Sequence, residues 1–304
     1  MRKRVLAIKT ETTVGTDATL AAADGAFNAY DITIQPSITV EEREGQGAFN
    51  YLPGVPGARS GTCTFRTDLV IGAAQPLWAS TLLPACGVVG TSAYTPRTEA
   101  LGDNVKSVTI GVYEDGKVEK LVGAVGNVRF VFPTGRMAFA EWTFTGVYVD
   151  EDDAALLDPD HPTEKPPRFA SGTCTYATVA QKVEQVAFDV GNTVIMREDP
   201  TTEGGFISGL ITNRYPKITA NPESVLVADE DRYGDWIGCT EAAFAISVPG
   251  PSSSSVAIAA PKAAIINKQG ADRSGMQVDD IEWACNANGQ TEDEEFTITV
   301  TAEA

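Results

Sequence analysis

The chain has 304 residues, 43% of them hydrophobic, with 28 Gly and 17 Pro; that suits one large β domain or two of about 150 residues, with a packed core. Its 41 acids outnumber its 23 Lys and Arg, for a net charge of −18, which argues against tight binding to a nucleic-acid backbone or docking on an anionic membrane, since both need clustered cations. One histidine and five cysteines, none in a CxxC pair, exclude a His-rich metal site, a zinc cluster and a disulfide framework, and leave buried thiols as the expectation for the cysteines.

Residues 1–24 read as a polar, Ala- and Thr-rich extended arm. The basic start Met1-Arg2-Lys3-Arg4 is followed by Lys9 and Glu11, which interrupt any apolar signal core. No apolar run reaches the ~18 residues of a membrane span. The expectation is a soluble protein made in the cytoplasm and not held in a membrane. From 29 to 42, Ile32, Ile34, Ile38 and Val40 fall two apart with polar partners between them. That pattern predicts a strand pair or one bent long strand, with a turn at Gln35-Pro36.

Residues 41–60 show no clear period and run through Gly45, Gly47, Pro53, Gly54, Pro56 and Gly57. They are expected to form a long loop, of the kind that is functional or is disordered when alone. Phe49, Tyr51, Leu52 and Val55 in that loop need a partner to cover them. Cys63, Phe65, Thr67 and Leu69 then share one face of a strand over 62–71. After Pro76, the residues Leu77, Trp78, Leu82 and Cys86 recur at helical spacing, predicting a short helix over 73–86 that covers a sheet face and ends at Pro84 and Gly87.

The region 105–146 reads as a meander of four antiparallel strands. Val108, Ile110 and Val112 alternate in the first, and Asp115-Gly116 makes the hairpin turn into the second, over 118–125. Val128, Phe130 and Phe132 mark the third. Pro133-Thr134-Gly135 turns into the fourth, over 137–149. Residues 150–164 hold seven acids and no Lys or Arg, so 151–165 is expected to be a solvated linker between a 1–150 domain and a 166–304 region. Strands are predicted there over 182–197, 206–212, 215–219, 236–248, 255–260, 278–286 and 294–302.

Short internal matches suggest a repeat. Pro36-Ser-Ile38-Thr39 matches Pro216-Lys-Ile218-Thr219, and Cys63-Thr64 matches Cys239-Thr240. Gly135-Arg-Met137 leads to Glu141-Trp142 as Gly275-Met276 leads to Glu282-Trp283. Either the second half is a shortened copy of the first, or residues 166–304 complete the first sandwich or add to its outside.

Motifs for chemistry are absent or incomplete. His161 lies in the acidic linker with no orienting partner, which makes it a poor general base. Gly111 to Lys117 has P-loop spacing, but Val118 stands where Ser or Thr must hold Mg²⁺. Asp229 to Gly234 resembles an EF-hand start, but Tyr233 and Thr240 replace ligands. Glu141 and Glu282 precede tryptophans, yet alternation along a strand sends neighbours to opposite faces. The expectation is a protein with no catalytic residues, cofactor or metal. Two rival readings are a secreted or surface β-sandwich binding module and a β carbohydrate enzyme with two carboxylates.

The order of elements carries a resemblance. It runs from the Lys9-Thr-Glu11-Thr-Thr-Val-Gly15-Thr16 arm through the strand pair, the Gly/Pro-rich loop, the Cys63-to-Leu69 strand and the helix with Leu82-Leu83. Tyr113-Glu-Asp-Gly116, Gly123-Ala-Val-Gly126-Asn127, Gly135-Arg-Met137-Ala138 and Phe144-Thr-Gly146 follow. The second half adds Asp189-Val-Gly191-Asn192, Ile211-Thr-Asn-Arg214-Tyr-Pro216 and Asn221-Pro222-Glu223. This resembles the tail tube (major tail) proteins of long-tailed bacteriophages over most of the chain.

The resemblance implies a mainly β fold: an antiparallel β-sandwich or barrel with one short flanking helix. It implies a virion subunit, made in the host cytoplasm, whose rings join their inner sheets into a barrel and stack into a tube that DNA traverses without specific binding. The partners implied are copies of the chain, the tail terminator, the tape measure and the distal tail proteins. Lys9, Glu11 and Thr13 of the arm, and Glu44, Phe49, Tyr51, Leu52 and Val55 of the loop, are the implied contacts between subunits or rings. Six copies are expected per ring, or three if each chain carries two tube domains.

Overall fold

The computed structural model describes residues 3–47, 49–290 and 292–303; Met1 and Arg2 of the expected arm and Ala48 of the expected loop lie outside them. The protein is mainly β, 56% strand and 8% helix, and antiparallel.

The first half contains β1 (Arg4–Thr10), β2 (Ala29–Glu44), β3 (Tyr51–Asp68), a helical segment formed by Trp78–Leu82 and α1 (Leu83–Ala85), β4 (Val88–Gly90), β5 (Ala93–Pro96), β6 (Val108–Glu114), β7 (Lys117–Pro133) and β8 (Phe139–Asp153). The second contains β9 (Thr173–Tyr176), β10 (Val179–Ala180), β11 (Val183–Asp189), β12 (Asn192–Glu198), β13 (Phe206–Arg214), β14 (Lys217–Pro222), α2 (Arg232–Gly238), β15 (Glu241–Pro249), β16 (Ser255–Arg273), β17 (Met276–Cys285) and β18 (Thr297–Thr301).

Eight strands lie side by side in the order β2-β3-β8-β7-β11-β14-β17-β16. The connectivity 2-3-8-7 recurs as 11-14-17-16, each set with a helix between its second and third strands in sequence. The flanks repeat too: β1 pairs β6, which pairs β7, and β9 pairs β15, which pairs β16. Register fixes equivalent residues. Trp142 pairs with Val128 and Phe65, and Trp283 with Ile265 and Ile218. The Glu141-Trp142 and Glu282-Trp283 matches therefore sit at equivalent places. Ile38 and Ile218 do not, nor do Cys63, inside a strand, and Cys239, the left-handed cap of α2.

Alternation sends one side chain of each pair into a shared core. Across the sheet, Ile265, Trp283, Ile218, Phe188, Phe130 and Ala140 form one buried row. The two units meet where β11 pairs β7, with Phe188 opposite Phe130. One hydrophobic cluster includes residues of both.

Several expectations are corrected. The N-terminal arm is strand β1, because Leu6, Ala7 and Ile8 are buried against β6. The turn at Gln35-Pro36 is absent, and β2 runs through it. The loop at 41–60 is instead the far end of a β2–β3 hairpin; its residues satisfy their backbone groups by pairing with each other, which an apolar period does not record. The second and third meander strands are one, β7, bent where the register slips between Val122 and Val125. Strand β8 extends into the acidic segment as far as Asp153, where Lys117 pairs with Glu151. Beyond it, Ala154, Leu156 and Leu157 pack against a small cluster of Ala7, Tyr113 and Val118.

In the second half, residues 182–197 split at Gly191 into β11 and β12. The strand over 236–248 begins instead as helix α2, capped by Asp231, whose carboxylate accepts from the Gly234 amide at 2.8 Å. Strand β16 is much longer than expected, reaching Arg273. Cysteines 63, 86, 174 and 285 are buried, whereas Cys239 is exposed.

Candidate assembly interface

The sheet ends at β2, whose outer edge is unpaired among the described residues. Its partner β3 pairs with β8 only from Gly61 onward. Beyond Arg59, whose amide donates to Gly204 O at 2.9 Å, both outer edges of the hairpin are unpaired among the described residues, and every described residue from 37 to 56 is exposed except Gly45, which is half-buried. Eight residues of strand, 37–44, extend about 25 Å at ~3.3 Å per residue. The projecting hairpin carries Ile38 (48% exposed), Val40 (58%), Phe49 (114%), Tyr51 (66%), Leu52 (42%) and Val55 (46%). A two-stranded ribbon without a covered face is marginally stable alone, and a long apolar edge is a template for another chain. Pro53 and Pro56 lack an N–H and so blunt the β3 edge.

The expected contacts thus divide. Glu44, Phe49, Tyr51, Leu52 and Val55 gather on this hairpin; Glu44 pairs with Tyr51 across it. Ile38 and Val40 belong with them, and were readable only as strand residues, since their alternation continues that of Ile32 and Ile34 inside the fold. Glu11 lies elsewhere. It is 5% exposed, and its carboxylate accepts from Gly15 N (2.8 Å), Ser107 Oγ (2.6 Å), Thr109 Oγ1 (3.0 Å) and Gly123 N (2.7 Å). It clamps the 11–16 turn to β6 and β7 within the chain. Lys9 reaches Thr19 O at 3.1 Å and Asp24 at 3.6 Å. Thr13 is exposed and closes a turn through the Thr16 amide.

The sheet face opposite the core is polar and alternates in charge. Lys217 meets Glu282 at 2.8 Å and sits opposite Asp189, which sits opposite Arg129. Arg129 meets Glu141 at 2.9 Å; Glu141 meets Arg66 at 3.0 Å; Arg66 meets Asp31 at 3.3 Å. Cross-strand neighbours of opposite charge stabilise a sheet face modestly. Three carboxylates thus hold the three cations, with Asp189 lying between Lys217 and Arg129 as a fourth, leaving a face with little pull on a phosphate backbone. Glu141 and Glu282 lie on this face with three strands between β8 and β17, about 19 Å at ~4.8 Å per strand, too far apart for a glycosidase pair.

No protein-family model matches the chain, and a search among curated proteins finds no match.

The remaining sequence candidates are held within the chain. Glu230 pairs with Arg232 at 2.8 Å, and Asp231 caps α2. Asp115 and Gly116, at φ 48° and 90°, form the β6–β7 hairpin turn. The His161 Nδ1 lies 3.1 Å from Phe27 O.

Proposed function

We propose that the protein is a structural subunit of the tail tube (major tail) type of a long-tailed bacteriophage, whose copies close into rings that stack as a hollow tube for DNA. The observation that carries this reading is the 16-residue edge strand β2, ending in a projecting hairpin with exposed apolar side chains. Ring closure removes such an edge and gives those side chains a partner.

The two four-strand units in each chain favour three copies for a ring of six units. The charge-paired sheet face suits a lumen: each cation is already held by a carboxylate, so passing DNA finds no row of free cations to bind. The tail terminator, tape measure and distal tail proteins would meet the ends and interior of such a tube in the virion.

Negative-stain electron microscopy of the purified chain at rising concentration tests this. Rings or hollow tubes of uniform diameter are expected, with top views of threefold symmetry carrying six similar lobes. Monomers at every concentration, with light scattering in agreement, overturn it.

A further inference from the structure

The seam between the two units serves as a template for contact between copies. Within one chain, the β7 edge of the first unit receives β11 of the second. The equivalent edge of the second unit is the far end of β16, residues 267–273, which pairs on one side only, with β17, among the described residues. The strand equivalent to β11 is β2, whose outer edge is also unpaired. One sheet therefore ends in the two halves of its own internal joint.

We propose that β2 of one copy pairs with the 267–273 edge of β16 in a second copy, in the register that β11 adopts on β7. This rests on the assembly reading above and specifies its contact. The register follows from the repeat. Arg66 and Thr219 are equivalent through Glu141 and Glu282, so Tyr30, opposite Arg66, corresponds to Ala187, opposite Thr219. Val131 pairs with Phe139, and Gln269 with Asp280, so these two correspond as well. Ala187 pairs with Val131 in the chain; Tyr30 therefore faces Gln269 of the second copy. The same steps set Thr33, equivalent to Asp189, opposite Asn267, equivalent to Arg129.

Burial agrees. At the internal seam, Phe130 is covered by Trp78 from the helical segment and by Phe188 from the other unit, at centroid distances of 6.3 and 6.5 Å. At the free end its equivalent is Lys268, whose Nζ lies 5.8 Å from the Tyr233 ring of α2. No second unit covers that end. Tyr233 (58%) and Ile237 (76%) of α2 are exposed, as are Leu226 (74%) and Val227 (70%) in the segment that leads into it. The exposed Tyr233 ring beside Lys268 marks the side on which the next copy would stand, and that copy's Ile32, on the core side of β2, would arrive there.

The joint also accounts for the two hairpins. After β11 the chain bends at Gly191 (φ +71°), where a Cβ would lie 2.1 Å from Tyr215 O. Glycine is required there, and β12–β13 folds over β7 and β8; the Arg59 amide donates to Gly204 O at 2.9 Å. The matching position in β2 is Gln35, two residues past Thr33 as Gly191 is past Asp189. It leaves the strand straight, so the first hairpin reaches beyond its own chain.

Cysteine pairs on the full chain test the register, in a Cys239→Ser background. Tyr30→Cys with Gln269→Cys, and separately Thr33→Cys with Asn267→Cys, are oxidised with diamide under assembling conditions. Both pairs should give ladders of covalent oligomers on non-reducing gels, forming roughly 100-fold faster than in the single-cysteine controls because register holds the thiols together. Assembled rings without either link overturn this contact and leave the assembly reading standing. A covalent dimer from Tyr30→Cys alone means that β2 pairs with itself, which also overturns it. Absence of any assembly removes both.

Discussion

Phe188 lies against Phe130 with ring centroids 6.5 Å apart, and the two belong to different units of the same chain. Both are fully buried, so the seam is core, not a loose contact between domains. Phe188→Ala should cost about 3–5 kcal/mol through lost transfer energy and the cavity left behind. Calorimetry should show one lowered transition; two separate transitions would mean that the units unfold independently.

Glu11 gathers four donors from three parts of the first unit. Glu11→Ala leaves the Ser107 and Thr109 hydroxyls and two amides without that acceptor in a buried place. A loss of about 3–5 kcal/mol is expected in urea unfolding. An unchanged midpoint would place the Glu11 side chain in solvent.

On the projecting hairpin, Phe49→Ser, Tyr51→Ser and Leu52→Ser combined should leave the melting temperature of the monomer nearly unchanged, since no core packing is lost. The same variant should lose ring or tube formation in electron micrographs. A large drop in melting temperature would mean that the hairpin packs on its own chain.

The cysteines should react in two classes. Burial pushes the thiols of Cys63, Cys174 and Cys285 up to about 12, and raises that of Cys86 well above its ordinary value. Thiolate is the reactive form. A disulfide reagent should therefore titrate Cys239 alone in the native protein, and all five thiols in denaturant.

Asp68 has its carboxyl raised above the ordinary range, because burial penalises its charge and the hydrogen bonds from Asn28 (3.0 Å) and Tyr30 (3.2 Å) offset only part of that. A raised acid keeps its proton in the folded state after the unfolded chain has lost it. Its contribution to stability therefore falls as pH rises through the window from the ordinary carboxyl value upward. Asp68→Asn retains an acceptor and does not titrate. Its urea midpoint relative to the parent should rise between about pH 4 and pH 7; a fall over that range would contradict the burial argument.

Alternating apolar residues at Val108, Ile110, Val128, Phe130 and Phe132 determine by themselves that this is an antiparallel β protein, since period two fixes which side chains share a face. Leu77, Trp78 and Leu82 likewise announce the short helix, and Asp115-Gly116 the hairpin turn. Tertiary structure alone decided the rest. Residues 41–56 have no apolar alternation because neither face is covered within the chain, so their strands depend on β2 and β3 lying side by side. Leu6, Ala7 and Ile8 gain their buried place only when β6 arrives from a hundred residues away. Glu11 reads as an arm residue until Ser107, Thr109 and Gly123 are folded round it. The equivalence of β2 with β11 was hidden for the same reason: it resides in backbone pairing, which any side chains compatible with a pleated strand can satisfy.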